Sequence, residues 1–463
     1  MGAVEEPMIY FDNGATSFPK RPGVGQAMME YLEKGAVSVG RSSYRSSLTV
    51  GKKVLDCREL LAQQFGVGDP RQVVFTKNVT ESLNWVLKGF PWEAGDEVIC
   101  SSLEHNAMMR PLRQLETEKG IRVVLWKSDE EGRFDLAELE ELFTAKTRLL
   151  ALTGASNLCG ATLPLQKAGA LAAERGVPFL VDGAQIAGTL PLSMETLSIS
   201  ALGITGHKAL GGPQGIGALL MTKDFAKRLN PLMSGGTGSY SDLETLPDAM
   251  PDCFEPGTLN LPGILGLEVA LQDWVREDPW SDFKAKMRIT EAFVEGLVPL
   301  QEKFGKLTEG PHAGWDKVRI LGPQVPALRR TFAFAKDLVL GDQGERKQPS
   351  GGQAHGTQFV DAKGQLPQVE KIHDAGAFYT DPIANVGVIA LDCTPIQDNS
   401  ILAFELEQRA GVATRSGLHC TPAAHKSLGT FPEGAIRFSF SPANTLEEVD
   451  LCLKALDEIL SEA

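Results

Sequence analysis

Short apolar runs alternate with helix-length amphipathic stretches between residues 72 and 217, and this alternation most constrains the fold. Residues 72–76, 97–100, 122–126, 147–153, 177–182 and 200–204 read as strands. Helical patterns start near Asn78, cover 135–143 and run over 164–175. Further helices are expected over 23–35 and from Val50 to about Phe65, around a polar loop at 41–47. Strands alternating with helices predict an α/β fold whose central sheet is mostly parallel, with right-handed crossovers.

Two of the strand ends carry chemistry. Val177-Pro178-Phe179-Leu180-Val181 leads straight into Asp182, as at the carboxyl end of a central parallel strand. Open α/β sheets bind their ligands at that edge. The next apolar run, 200–204, leads into Thr205-Gly206-His207-Lys208 and then a glycine-rich loop through Gly217. A lysine at a buried strand end is partly withdrawn from water, which lowers its pKa and makes its amine a nucleophile able to form a Schiff base. An aspartate on a separate strand is what pyridoxal 5′-phosphate needs beside such a lysine, because the carboxylate keeps the pyridinium nitrogen protonated. Taken singly, Lys208 could be a surface lysine and Asp182 a turn cap; the pairing favours the cofactor.

At 463 residues the chain exceeds what one core comfortably supports. Two domains are expected: a large one over 21–275, and a small one made of 1–20 with 276–463. Apolar and charged fractions of 43% and 22% are those of an ordinary globular protein. A net charge of −14 argues against a nucleic-acid partner. No apolar run is long enough to span a membrane, and the first residues lack the basic and apolar blocks of a signal peptide. Seven cysteines, odd in number and without framework spacing, fit free thiols in a reducing cytoplasm. No Cys/His spacing matches a metal site.

Other candidates sit at loops. His105 and Asn157 follow strands on the same sheet edge, where each is either an ordinary turn or core residue or a cofactor contact. Thr80 is a plausible amino-terminal helix cap, and a helix start there would offer a seat for a phosphate. A long helical region is expected from about Asp273 to Lys306. A second α/β region follows, with strands near 331–334 and 386–391. Residues 341–376, poor in apolar side chains, read as a long exposed insertion. In Arg415-Ser416-Gly417-Leu418-His419-Cys420 a cysteine lies near two basic groups, surroundings that favour the reactive thiolate. Arg437 interrupts the apolar strand 435–440; it calls for either a substrate carboxylate or an internal Asp or Glu.

Together these motifs resemble the class V aminotransferase-fold enzymes, specifically the cysteine desulfurase and selenocysteine lyase branch. The resemblance runs nearly end to end, from Tyr10-Phe11-Asp12-Asn13-Gly14-Ala15-Thr16 to Phe438-Ser439-Phe440-Ser441-Pro442-Ala443-Asn444-Thr445, and Gly-His-Lys with Arg-Ser-Gly-x-x-Cys carries most of it. It implies fold type I of the pyridoxal-phosphate-dependent transferases. By position, Lys208 looks like the Schiff-base lysine, Asp182 the pyridinium partner and His105 the ring-stacking histidine. Gln185 would contact the ring hydroxyl with Asn157 close by, and Thr80, Thr205 and His207 look like phosphate ligands. Phe254-Glu255-Pro256-Gly257-Thr258 is similar to the segment whose threonine reaches the phosphate of a partner subunit, which implies a homodimer. Arg437 would bind the substrate carboxylate, Arg415 would support the cysteine loop, and Cys420 would accept sulfur. Val79 departs from the pattern, since many relatives carry a second threonine there, and 341–376 looks longer than is usual.

The implied reaction converts L-cysteine to L-alanine, with Lys208 moving the Cα proton, His105 relaying protons and Cys420 holding the sulfur as a persulfide for a protein acceptor. L-Selenocysteine is an alternative substrate. A class V aminotransferase or epimerase would have no need of Cys420. A catalytically silent sulfur-handling scaffold would have no need of Lys208 and Asp182.

Overall fold

The computed structural model describes residues 8–35, 37–39, 44–239, 242, 244–276, 279–310, 312–337 and 385–463. The insertion read at 341–376 lies outside the described residues. After β1 (Ile9–Tyr10), seven strands build the central sheet: β2 (Val73–Thr76), β3 (Glu97–Ser101), β4 (Arg122–Trp126), β5 (Thr147–Thr153), β6 (Phe179–Asp182), β7 (Ala201–Thr205) and β8 (Gly217–Met221). Their spatial order is β2-β8-β7-β6-β5-β3-β4. The pairs from β7 to β4 are parallel, while β8 runs antiparallel to both β7 and β2.

Outside the edge strand β4, nearly every residue of these strands is buried, because helices cover both faces. The pleat sends Val74, Val98, Leu180 and Leu219 to one side, where they pack with Leu83, Val86, Met108 and Leu112 of the helices Val79–Gly89 and Asn106–Lys119. Phe75, Ile99, Val181 and Leu220 go to the other side, with Val54, Leu61, Leu165, Leu267 and Leu271. The parallel strands deliver their carboxyl ends to one edge, which puts Thr153, Asp182 and Gly203 in register.

A second, antiparallel sheet has the order β12-β13-β10-β9. Its members are β9 (Arg319–Leu321), β10 (Val388–Asp392), β12 (Arg415–Gly417) and β13 (Ala435–Ser439), with the short β11 (Val412–Ala413) just before β12. β1 pairs in parallel with β11, and Asp12 bridges to Ser439, so the amino-terminal segment is joined to the carboxyl-terminal layer. Phe293, from the helix Pro279–Phe304, packs on Phe438 and Phe440.

Four sequence expectations are corrected. Residues 331–334 are not a strand; they lie within the helix Val325–Asp337. Leu328, Thr331, Phe332 and Ala335 are its buried side chains, a spacing of three and four that turns a short β-like run into one helical stripe. The helix expected from Val50 begins at Arg45 instead. Ser47 can continue its buried stripe because its hydroxyl donates to the Ser38 carbonyl at 2.7 Å. The helical region expected from Asp273 starts earlier and is two helices, Leu261–Arg276 and Pro279–Phe304. Finally, Asn78, not Thr80, caps its helix: Asn78 Oδ1 accepts from Glu81 N–H at 3.1 Å while its backbone is extended.

Candidate active site

Lys208 follows β7 on a turn closed by Gly211 N–H donating to the Lys208 carbonyl at 2.8 Å. Gly211 has φ +72, and a Cβ there would stand 2.5 Å from Arg21 Cγ, so the turn requires glycine twice over. Burial lowers the Lys208 amine to about 8; Asp182 opposes the shift, and Arg437 and Arg415 add to it. Asp182 ends β6, fully enclosed, with Oδ1 accepting from Ala184 N–H at 2.9 Å. Burial raises its carboxyl above the usual range, against the Ala184 hydrogen bond and the Lys208 charge. A carboxylate held in so dry a place calls for a cationic N–H.

His105 caps the helix Asn106–Lys119, its Nδ1 accepting from Ala107 N–H at 3.0 Å. That fixes the proton of the neutral ring on Nε2. Burial, then the Lys208 and Arg415 charges, push its imidazole down to about 4, so it is neutral at pH 7. Glu104, just before it, is wholly buried, with Oε1 accepting from Ser101 Oγ at 2.6 Å and Thr153 N–H at 2.8 Å.

The cysteine loop lies against this edge. Asn106 N–H donates to the Cys420 carbonyl at 2.8 Å. Thr421 Oγ1 donates to the Glu104 carbonyl at 2.9 Å, and Asn157 Nδ2 to the His419 carbonyl at 2.8 Å. Cys420 is exposed, while Cys57, Cys100, Cys159, Cys253, Cys393 and Cys452 are all buried. Arg415 Nη2 stands 3.8 Å from Cys420 Sγ. The expectation of a second cation at His419 is corrected: its ring is only 3% exposed, and burial with the nearby Arg437 charge pushes it down to about 3, so it is neutral.

Arg437, on β13, is fully buried. Nη1 donates to the Asn157 carbonyl at 3.0 Å and Nη2 pairs with Asp12 Oδ1, while Nε has no protein acceptor. Gly14 passes so close that a Cβ would come within 3.3 Å of the guanidinium carbon. Gln185 Nε2 donates to the Gly14 carbonyl at 3.1 Å, which ties the amino-terminal turn to the strand end that carries Asp182. A cavity of about 200 Å³ reaches Lys208 from this turn, lined also by Gln185, Thr189, Lys20 and Lys286.

The remaining candidates bear on an anion. Thr205 Oγ1 and His207 Nδ1 are buried and have no protein partner. The start of the helix Val79–Gly89 packs on β7, where a Cβ on Gly203 would meet Val79 Cγ2 at 3.2 Å. The first N–H groups of such a helix have no intrahelical acceptor. Thr80, in its first turn, is exposed. These donors, with Asp182 and Lys208, fit a phosphorylated pyridine aldehyde: the donors meet the phosphate, the carboxylate meets a ring N–H and the amine meets the carbonyl. Thr258 stands apart from this set on an exposed loop, anchored by Glu255 to Arg58.

Three contributors were not picked out from sequence. Asp12, the Arg437 partner, lay within the stretch 10–16, and only pairing across more than 400 residues gives it a role. Glu104 and Thr421 looked like neighbours of better candidates, and the contact between them is tertiary.

The class-V aminotransferase profile matches residues 9–301 and 362–452. A probable cysteine desulfurase of Pyrococcus abyssi is 26% identical, covering 98% of this chain and 95% of its own. Cysteine desulfurase CsdA of Escherichia coli is 26% identical over 99% of this chain and 95% of its own. Among solved structures, the apo cysteine desulfurase of Thermococcus onnurineus superposes with a TM-score of 0.78 at 26% identity, covering 98% of this chain and 95% of that one. The sheet order and the joined carboxyl-terminal layer are those of fold type I. The chain belongs to the class-V aminotransferase family.

Proposed function

We propose that this chain is a pyridoxal-phosphate-dependent cysteine desulfurase that converts L-cysteine to L-alanine and keeps the sulfur on Cys420 as a persulfide. The observation that carries the proposal is the seating of Cys420, the exposed one of seven cysteines, on the backbone of the segment bearing His105. Pyridoxal phosphate, when bound, supplies an electron sink next to the substrate α-carbon.

Lys208 is the amine that attaches the cofactor and then removes the Cα proton; its lowered pKa leaves a usable share of free base near neutrality. Asp182 would face the ring nitrogen. Gln185 and Asn157 would stand by the ring hydroxyl, and His105 would lie over the ring, its neutral tautomer leaving an Nε2 proton for relay. Thr80, Thr205 and His207 would hold the phosphate, with Thr258 of the partner subunit completing the seat in a homodimer. Arg437 takes the substrate carboxylate with the donors that Asp12 and Asn157 leave free. Cys420 attacks the substrate sulfur, with Arg415 Nη2 beside its Sγ. The S–S bond forms as the Cβ–S bond breaks; the bonding pair stays on Cβ, which takes a proton. L-Cysteine and the Cys420 thiol thus become L-alanine and a Cys420 persulfide, with atoms and electrons balanced.

The division into 21–275 and 1–20 with 276–463 belongs to the same proposal, supported by the pairing of β1 with β11. No helix among the described residues is long and apolar enough to cross a membrane, and seven unpaired thiols suit a reducing cytoplasm with a protein sulfur acceptor. The test is a visible absorbance scan of purified protein, before and after L-cysteine with a thiol reductant, with alanine assayed in the same tube. A band near ~420 nm that changes on cysteine, with alanine and sulfide together, is the expected result. Cys420→Ala should keep the band and lose the alanine; desulfuration at the parent rate would remove Cys420 from its role. Alanine from L-selenocysteine alone would replace the substrate.

A further inference from the structure

Cys420 sits in an unfavourable backbone. His419 and Cys420 have φ values of +49 and +57, two consecutive non-glycine residues in the left-handed region. Such geometry persists only where its surroundings hold it. Thr421, next in sequence, is 0% exposed and begins the short helix Pro422–Ser427. A threonine at that place ordinarily turns its hydroxyl onto the helix's own free N–H groups. Here it makes no cap bond; Oγ1 donates instead to the Glu104 carbonyl, 317 residues away.

The acceptor is rigid. Glu104 is fixed by Ser101 Oγ and Thr153 N–H on its side chain, and His105 caps the following helix. One residue beyond, Asn106 N–H returns a bond to the Cys420 carbonyl, closing a two-bond clasp between 104–106 and 420–421. The third tether, Asn157 to the His419 carbonyl, comes from a different strand end and does not need Thr421.

We propose that Thr421 is a positioning residue for Cys420: its buried hydroxyl locks the thiol-bearing loop to the segment that carries His105. The inference rests on the desulfurase reading for its consequence, not for its geometry. With the clasp closed, Cys420 Sγ stays within reach of substrate sulfur at the His105 face. With it open, the left-handed pair relaxes and the S–S bond forms less often per bound substrate.

Thr421→Val, isosteric but without the hydroxyl, and Thr421→Ser, which restores it, decide the matter in the full-length holoprotein. Two readouts are taken: amide hydrogen exchange at Asn106, and steady-state alanine formation from L-cysteine, with the cofactor band confirming the folded site. Thr421→Val should exchange Asn106 at least about tenfold faster and lower kcat for alanine at least about tenfold, with KM and band unchanged; Thr421→Ser should return both to parent values. Unchanged exchange in the valine variant overturns the clasp. Faster exchange with alanine made at the parent rate overturns the positioning role. A parent that makes no alanine sinks the desulfurase reading instead, and exchange alone then judges the clasp.

Discussion

Arg437→Lys keeps a positive charge and discards the fork, and the structure fixes what that costs. A guanidinium has five donors. Two are spent on Asn157 O and Asp12, which leaves three, including the unpartnered Nε, for a substrate carboxylate. A lysine ammonium has three donors; once it satisfies the same two acceptors, one remains. A carboxylate that took two charge-assisted bonds from arginine therefore takes one from lysine. Such a bond is worth about 1.5–3 kcal/mol, which raises KM for L-cysteine by roughly 10–150-fold. The effect belongs to KM, because the carboxylate is held equally before and during reaction. Initial rates of alanine formation over a cysteine range give both constants, with the cofactor band reporting an intact site. A variant with parent KM would show that Arg437 serves only Asp12 and Asn157, and the substrate carboxylate would have to be sought elsewhere.

Lys208 should titrate near 8 in cofactor-free protein, so the rate of regaining the visible band from added pyridoxal phosphate should climb with pH and level off above about 8; a climb that continues to pH 10 would mark an ordinary lysine. Glu104 is held protonated by burial, with its carboxyl raised to about 8. The folded state therefore binds more protons than the unfolded state between the ordinary glutamate pKa and 8, and stability falls there as pH rises. Glu104→Gln should flatten the urea midpoint against pH by up to about 1.4 kcal/mol per unit, and an unaltered slope would clear Glu104 of that role. Arg58 and Glu255 form a buried pair, with Nη1 to Oε1 at 2.9 Å and Nη2 to Oε2 at 2.5 Å. Arg58→Met strands the carboxylate and should cost about 3–5 kcal/mol in urea unfolding at neutral pH; a loss below about 1 kcal/mol would mean the pair is solvated in solution.

Local chemistry dictated much of this protein. Strands buried on both faces must be apolar throughout, so β2 to β7 stood out in the sequence, and a strand that ends in aspartate or in Gly-His-Lys announces itself by the break in that apolarity. Cys420 was set apart from six other cysteines by its polar neighbours alone. What failed was wherever two local patterns look alike. Residues 331–334 suit either strand or helix, and only packing against Pro279–Phe304 selected the helix. His419 looked like a cation beside the thiol because sequence does not carry burial, and burial is what neutralises it. Sequence distance hid the rest. Asp12 with Arg437, Glu104 with Thr421 and Asn157 with His419 join residues more than 200 positions apart, and each depends on the amino-terminal segment or the carboxyl-terminal layer folding back onto one sheet edge. The sequence determined which groups were available for chemistry, because side-chain type and strand-end position are local. The tertiary structure decided their protonation and their partners, because both depend on the water and charges that distant segments remove or bring.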